Sequence, residues 1–222
     1  MHITVQNLTS VSNKINEIVK ENQLKTNPKI IVVTKTFSQE RFIPLLKNGH
    51  IHFGENKIQE AEMKWVKIKE VHKNLKLHMI GKLQSNKAKK ALILFDYIHS
   101  LDNAKLASKL SQYQKELNKK IKFFIQVNLA DEQQKSGIIF SDLKNFYTYC
   151  TNELSLNIIG LMCLPPINSD STEYFKKLKT AAKQFNLDHL SMGMSSDFEN
   201  AILNGATYLR LGTAILGKRK IN

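Results

Sequence analysis

The sequence predicts an α/β protein, a single closed (β/α)8 TIM barrel with an extra helix ahead of the first strand. Three observations carry the prediction. Eight short runs rich in β-branched and aromatic residues alternate with longer amphipathic stretches along the 222 residues, as parallel strands joined by helices require. No Pro/Gly-rich or low-complexity segment divides them, so one domain over residues 1–222 suffices. Polar and glycine-bearing motifs fall at the C-terminal ends of the predicted strands, where the loops of a barrel build a site. A doubly wound open sheet is the alternative architecture.

Taken in order, an opening amphipathic helix covers 8–22. The run Ile30-Ile31-Val32-Val33 makes the first strand, 30–35, and a helix follows over 39–47. Strands at 51–54, 77–80 and 97–100 are separated by helical patterns at 58–72 and 86–94. The helix at 103–117 leads into the longest strand, 122–128, whose residues Phe123 to Ile125 are all apolar. Helix 141–154, strand 157–162, helix 171–185, strand 189–192, helix 197–204 and strand 208–211 complete the alternation, with a short closing helix after Thr213.

Composition narrows the function classes. Charged residues at 23%, aromatics at 8% and apolar residues at 42% exclude disordered, collagen-like and coiled-coil chains. The longest apolar runs, 30–33 and 91–95, fall far short of the ~18 residues that span a bilayer. The N-terminus lacks a basic region followed by an apolar one, so no secretory signal is expected. Two cysteines, Cys150 and Cys163, form neither a CxxC pair nor a disulfide framework, which suits a reducing, cytoplasmic setting. The 33 basic against 19 acidic residues give a net +14, yet only Arg41, Arg210 and Arg219 are arginines and the lysines are dispersed. Nucleic-acid sites cluster arginine, so a solvated lysine coat is expected and no specific nucleic-acid partner. Lys87/Lys89/Lys90 and Lys218-Arg219-Lys220 are the local concentrations that stand out.

Three features carry chemistry. Lys35 follows the first apolar run on the face shared by Ile31 and Val33, which sets an amine at the mouth of an apolar barrel. Desolvation there frees a lysine to attack a carbonyl and form a Schiff base; the same position also suits a lysine snorkelling to solvent. Two loops look like a phosphate cradle. Ser195-Ser196-Asp197 opens a helix with Ser195 or Ser196 as its N-cap, Gly193 precedes it, and Gly212-Thr213-Ala214 opens the last helix. Loops after the seventh and eighth strands of a barrel commonly hold phosphate, and plain helix capping is the competing reading. Arg210 is inward-placed on the eighth strand, as a site residue or a structural ion pair. His50 and His52 share a strand face but lack further ligands at metal spacing, so no metal is expected. His78 reads as a core histidine ahead of a site residue, Glu55 and Glu60 as an acid/base pair or as helix-entry surface charges, and no serine or cysteine nucleophile elbow is present.

Several segments together resemble one family. Val-Val-Thr-Lys35-Thr, Phe-Gly-Glu-Asn-Lys-Ile-Gln-Glu at 53–60, His78-Met-Ile-Gly-Lys-Leu-Gln-Ser-Asn-Lys87, Gly160-Leu-Met162, Leu190-Ser-Met-Gly-Met-Ser195 and Arg210-Leu-Gly-Thr213 occur in the order seen in the pyridoxal phosphate homeostasis proteins. The resemblance covers nearly the whole chain. It implies the barrel of the alanine racemase N-terminal domain, holding pyridoxal 5′-phosphate (PLP) covalently as a Schiff base at Lys35. Arg210 then matches the arginine facing the pyridine nitrogen, Ser195, Gly212 and Thr213 match the phosphate-holding positions, and Asn56 lies beside the cofactor. Lys135-Ser-Gly137 also fits the pattern. Leu77, Thr34 and Phe53 stand where tryptophan, serine and tyrosine are commoner, which touches packing only.

The resemblance implies a PLP-binding protein of vitamin B6 homeostasis and delivery, with no efficient turnover; a weak amino-acid racemase or transaminase is the alternative, and a nucleic-acid binder a distant third. An arginine stays protonated, so it cannot lend the ring nitrogen a proton and leaves the ring a weaker electron sink. The sequence ends at Asn222, soon after the eighth strand, so no second domain is expected to supply another base. Expected partners are PLP and PLP-requiring apo-enzymes, with no membrane, and the protein is expected as a monomer or a dimer.

Overall fold

Short strands that are apolar on both faces must be covered on both faces. In the computed structural model, which describes residues 1–130, 136–166 and 169–218, they achieve this by curling into a ring. The strands are β1 (Lys29–Val33), β2 (His52–Glu55), β3 (Lys76–Met79), β4 (Tyr97–Leu101), β5 (Lys122–Asn128), β6 (Ile158–Met162), β7 (His189–Ser191) and β8 (Tyr208–Leu211). All pair in parallel; β1 pairs with β2 on one side and β8 on the other, and β4 with β5 completes the circle. The expected closed barrel is therefore present, with a two-residue strand, Ile138–Ile139, added beside the end of β5.

The helices outside the ring are α1 (Ile3–Glu21), α2 (Gln39–Lys47), α3 (Ile58–Val71), α4 (Ala88–Leu94), α5 (Ala104–Glu116), α6 (Leu143–Thr148), α7 (Ser171–Gln184), α8 (Phe198–Leu203) and α9 (Thr213–Leu216). Two boundaries differ from expectation in an informative way. The opening helix begins at Ile3, five residues before the expected Leu8, because the His2 ring accepts the Thr4 N–H as an N-cap, a role usually taken by Ser, Thr, Asp or Asn. The helix expected over 141–154 is split into a 3₁₀ turn at Phe140–Asp142, α6, and a π-turn at Tyr149–Glu153 that buries Cys150. The extra helix α1 buries Val5, Leu8 and Ile15 and reaches the last helix through the Asn7 amide, which donates to Ile215 O at 2.9 Å.

Strand periodicity sorts the core into two layers. Outward-facing residues such as Val32 and Phe53 pack under the helices with Phe42 and Trp65, whose rings stack at 4.5 Å. Inward-facing Ile31, Tyr97, Phe124, Met162 and Tyr208 fill the barrel. The interior is also polar, for His78, His99, Ser191 and Arg210 are buried there. His78 stacks on Tyr97 at 4.3 Å and His99 on Phe124 at 4.2 Å.

Gly160 shows why the Gly-Leu-Met segment of β6 carries a glycine. It pairs with His189 of β7, and a Cβ built on it would lie 2.0 Å from the His189 carbonyl oxygen. Backbone cannot yield cheaply, so Gly160→Ala is expected to cost at least about 1–3 kcal/mol, in the range of overpacked cores, read as a lower urea midpoint at unchanged slope.

The interior histidines set a pH dependence. Burial, then the neighbouring histidine and arginine charges, hold His78 and His99 well below the usual histidine range. Below pH 6.5 the unfolded chain binds protons that the folded chain refuses, so stability is full above that pH and falls as pH drops. Each such histidine contributes about 1.4 kcal/mol per pH unit in the limit. Glu55 and Asp102, raised by burial, act in the opposite sense and offset part of the slope. The melting temperature is expected to fall between pH 7 and pH 5; a flat profile in thermal scans would contradict it.

Candidate functional site

A cavity of about 700 Å³ opens at the C-terminal mouth of the barrel. Lys35, Asn56, Ser195, Arg210, Gly212 and Thr213, the six residues singled out in the sequence, all line it. Lys82, Gln126, Asn128 and Leu164 also line it; none was given a site role from the sequence, although Lys82 lies within the quoted 78–87 segment and Gln126 and Asn128 at a strand end.

Lys35 is not a strand residue as expected. β1 stops at Val33, and Lys35 sits half-buried in a turn whose next residue, Thr36, has a left-handed φ of 66°. The inward face of β1 nonetheless leads to it, for Ile31 fills the barrel and Val33 lines the cavity. The turn is clamped from outside. The Thr34 hydroxyl donates to Glu55 Oε1 at 2.7 Å, the Lys64 amine donates to the Thr34 carbonyl at 2.7 Å, and the Thr36 N–H donates to Glu60 Oε1 at 2.6 Å. Lys64 ties the two carboxylates together, at 3.3 Å from Glu55 and 2.5 Å from Glu60. Glu60 is a partly exposed charge in the first turn of α3, as expected, but Glu55 is not a surface charge: it is fully buried, receives the Trp65 indole N–H at 3.0 Å, and has its carboxyl pushed up by burial. Sequence reasoning missed this role because the clamp joins residues about twenty to thirty apart across three elements.

Arg210, 4% exposed, is held from behind. It donates to Ser191 Oγ at 2.7 Å and to the Cys163 carbonyl at 2.9 Å, so its placement rests on neutral acceptors rather than on an ion pair. Burial pushes the Cys163 thiol up to about 12, which leaves it inert near neutral pH.

The two loops join differently from the expected capping. Asp197 takes the N-cap position of α8, and its carboxylate accepts the Met194 N–H at 2.6 Å. Ser195 Oγ instead accepts the Ala214 N–H of α9 at 3.2 Å, binding the loop after β7 to the loop after β8. Gly193, at φ 89°, starts this turn, and a Cβ there would lie 2.5 Å from Ala201 Cβ. Gly81 admits Asn56 to the cavity wall, since a Cβ on Gly81 would lie 2.4 Å from Asn56 O. His78 stays out of the cavity with both ring nitrogens bonded to other histidines, as a core residue. Of Lys135-Ser-Gly137, Lys135 lies outside the described residues, while Ser136 lines the cavity.

The electrostatics of the lining are one-sided. Among the described residues, Lys35, Lys82 and Arg210 line the cavity and no carboxylate does. An anion that also carries an aldehyde fits this set: an amine stands at one strand end, hydroxyls and a glycine at two loop turns, and a guanidinium on β8. The residues present thus suit pyridoxal phosphate.

Comparisons agree with this geometry. Residues 7–220 match the family described as "Alanine racemase, N-terminal domain". The chain is 33% identical over 225 residues to a pyridoxal phosphate homeostasis protein of Pasteurella multocida, covering 96% of this chain and 97% of that one. It is 37% identical over 205 residues to one of Synechocystis sp., covering 88% and 94%. Among solved structures, PipY of Synechococcus elongatus with PLP bound superposes with a TM-score of 0.80 at 32% identity, over 91% of this chain and 100% of that one.

The clamp generates a prediction. Glu60→Ala removes the acceptor of the Thr36 N–H while Lys64 keeps its bonds to Glu55 and Thr34 O. Amide exchange at Thr36 is expected to accelerate, with a stability loss of about 1 kcal/mol or less, the worth of one partly exposed hydrogen bond. Unchanged protection at Thr36 would show that the turn holds itself.

Proposed function

The chain belongs to the pyridoxal phosphate homeostasis protein family, built on the barrel of the alanine racemase N-terminal domain, and from that premise we propose that it binds PLP reversibly at Lys35 and serves the balance and delivery of that cofactor. The observation that carries the reading is the cavity itself, with three cations, no carboxylate among its described lining, and a lysine at its entrance. Bound there, PLP supplies an aldehyde that condenses reversibly with amines.

Lys35 provides the amine, and its turn is fixed by Glu55, Glu60 and Lys64. Ser195, Gly212 and Thr213 hold the phosphate, and Asn56 flanks the ring. Arg210 donates to the ring nitrogen and, as a guanidinium, keeps its proton. The described lining offers no imidazole, phenol, thiol or carboxyl, and its amines are those of Lys35 and Lys82. That supports holding and release over turnover. No helix among the described residues is long and apolar enough to cross a membrane; we place the protein in the cytoplasm, as a monomer that passes PLP to apo-enzymes and has no specific nucleic-acid partner.

Borohydride treatment of the PLP-loaded protein is expected to fix a pyridoxyl group on the peptide bearing Lys35, and Lys35→Ala to abolish it. Pyridoxal lacking phosphate should bind at least about tenfold more weakly, since hydrogen bonds to a charged group are worth roughly 1.5–3 kcal/mol. The loaded protein should reactivate a PLP-requiring apo-enzyme and turn over L-alanine far below the median enzyme rate of ~10 per second. Rapid racemisation by a protein that never releases PLP would replace this reading with the racemase one.

A further inference from the structure

A continuous file of hydrogen-bonding side chains crosses the barrel interior and ends on Arg210. His52 Nδ1 lies 3.0 Å from His78 Nε2, His78 Nδ1 lies 2.9 Å from His99 Nε2, and His99 Nδ1 lies 2.8 Å from Ser191 Oγ. Ser191 Oγ in turn accepts from Arg210 at 2.7 Å. Four strands contribute to the file ahead of Arg210: β2, β3, β4 and β7.

The proton count in this file is constrained. Each nitrogen-to-nitrogen contact needs one proton, and a neutral imidazole carries one N–H. If one ring holds its proton on Nε2, its neighbours in the file must do the same, or a contact is left with two protons or none. Three neutral histidines therefore have only two satisfied arrangements, all Nε2–H or all Nδ1–H. The Arg210 end chooses between them. A guanidinium only donates, so Ser191 Oγ accepts from it and keeps its own O–H to give. The oxygen has a second lone pair and could accept from His99 as well, but its buried O–H would then lack an acceptor, since His99 Nδ1 and Arg210 are the partners Ser191 Oγ meets. Giving the O–H to His99 Nδ1 satisfies every group and leaves His99 with its proton on Nε2, and His78 and His52 after it. Burial, then the neighbouring His99 and His52 charges, hold His78 well below the usual histidine range, burial and the Arg210 charge do the same for His99, and burial with the nearby His50, Lys29 and Lys76 charges lowers His52 to about 4.

We propose that His52, His78, His99 and Ser191 form one tautomer-locked relay, polarised by Arg210, with all three imidazoles neutral and protonated on Nε2, and that they are positioning residues for Arg210. Every proton in the relay points away from the cavity. Ser191 is held as a pure acceptor toward Arg210, and no histidine proton is delivered to the cavity side, so the guanidinium is the donor that meets the cofactor ring. The link to the cofactor rests on the function proposed above; the tautomer pattern does not.

Nitrogen-15 correlation spectra of the histidine rings in the full chain at neutral pH, assigned by single His→Phe replacements, test the pattern. His52, His78 and His99 are expected as neutral Nε2–H forms, and an Nδ1–H or imidazolium form at any of them overturns the relay. Ser191→Asp provides the coupled test: an acceptor-only side chain beside Arg210 should turn all three rings to Nδ1–H, including His52 two rings away. A change confined to His99 overturns the coupling, and if this variant does not fold, the wild-type tautomers decide alone. PLP titration of the same variant should show affinity weaker by about tenfold or more, as the new carboxylate draws Arg210 off the ring nitrogen. Unchanged affinity in a flipped relay overturns the positioning role. Failure of the wild-type chain to bind PLP would remove the function proposed above while leaving the tautomer pattern standing on its own spectra.

Discussion

The register between β1 and β8, which sets Ile31 opposite Arg210 and Val32 opposite Leu211, is the joint on which the cavity depends. Closing the ring there brings the first and last strands of the sequence together, so the turn bearing Lys35 and the turn of Gly212 and Thr213 share one wall. A slip of one residue would exchange inner for outer faces along the whole strand, sending Arg210 out among the helices and Leu211 into the barrel. Parallel ladders enforce this weakly by themselves; the side chains do more. Ile31 and Tyr208 belong to the inner layer and Val32 and Leu209 to the outer one, and each set finds its complement only in the observed register.

A barrel interior must be filled, and aliphatic residues usually fill it. Here aromatic and aliphatic side chains share the filling with a file of imidazoles stacked against them. Buried polar groups are tolerated when each is bonded, and His78 and His99 meet that condition with both ring nitrogens. The cost is sensitivity to acid. The gain is directionality, which apolar filling cannot provide: a hydrogen-bonded file has a head and a tail, and the buried guanidinium defines which is which.

Much of this was legible in the sequence. Eight β-branched runs stood out because parallel strands covered on both faces leave continuous apolar stretches, and the barrel followed from their number. Lys35 and the two loop motifs stood out because polar and glycine residues gather where the predicted strands end, and Arg210 because arginine is rare in this chain. What escaped reading depends on contacts made across the fold. Glu55 looked like a helix-entry charge until α3 brought Lys64 and Trp65 against it. Ser195 looked like a cap of its own helix, yet it bonds the next one, because that helix starts only at Phe198, with Asp197 in the N-cap position. The end of β1 was overrun by two residues because Thr34 has strand propensity, while its hydroxyl is drawn to Glu55. The histidine file was invisible, since His52, His78 and His99 belong to three strands whose mutual height only the register fixes.

The cations lining the cavity discriminate charge better than they discriminate shape. Three positive groups without a described carboxylate among them attract small dianions in general, inorganic phosphate and phosphorylated metabolites included. The bond proposed at Lys35, with the ring contacts proposed for Asn56 and Arg210, is what would separate the aldehyde cofactor from these rivals. Occupancy inside a cell is therefore a competition: the apparent dissociation constant for the cofactor rises in proportion to one plus the ratio of competing anion to its own dissociation constant, as mass action requires. On the proposed binding mode, occupancy would follow the supply of the aldehyde relative to the surrounding phosphate pool rather than its absolute concentration.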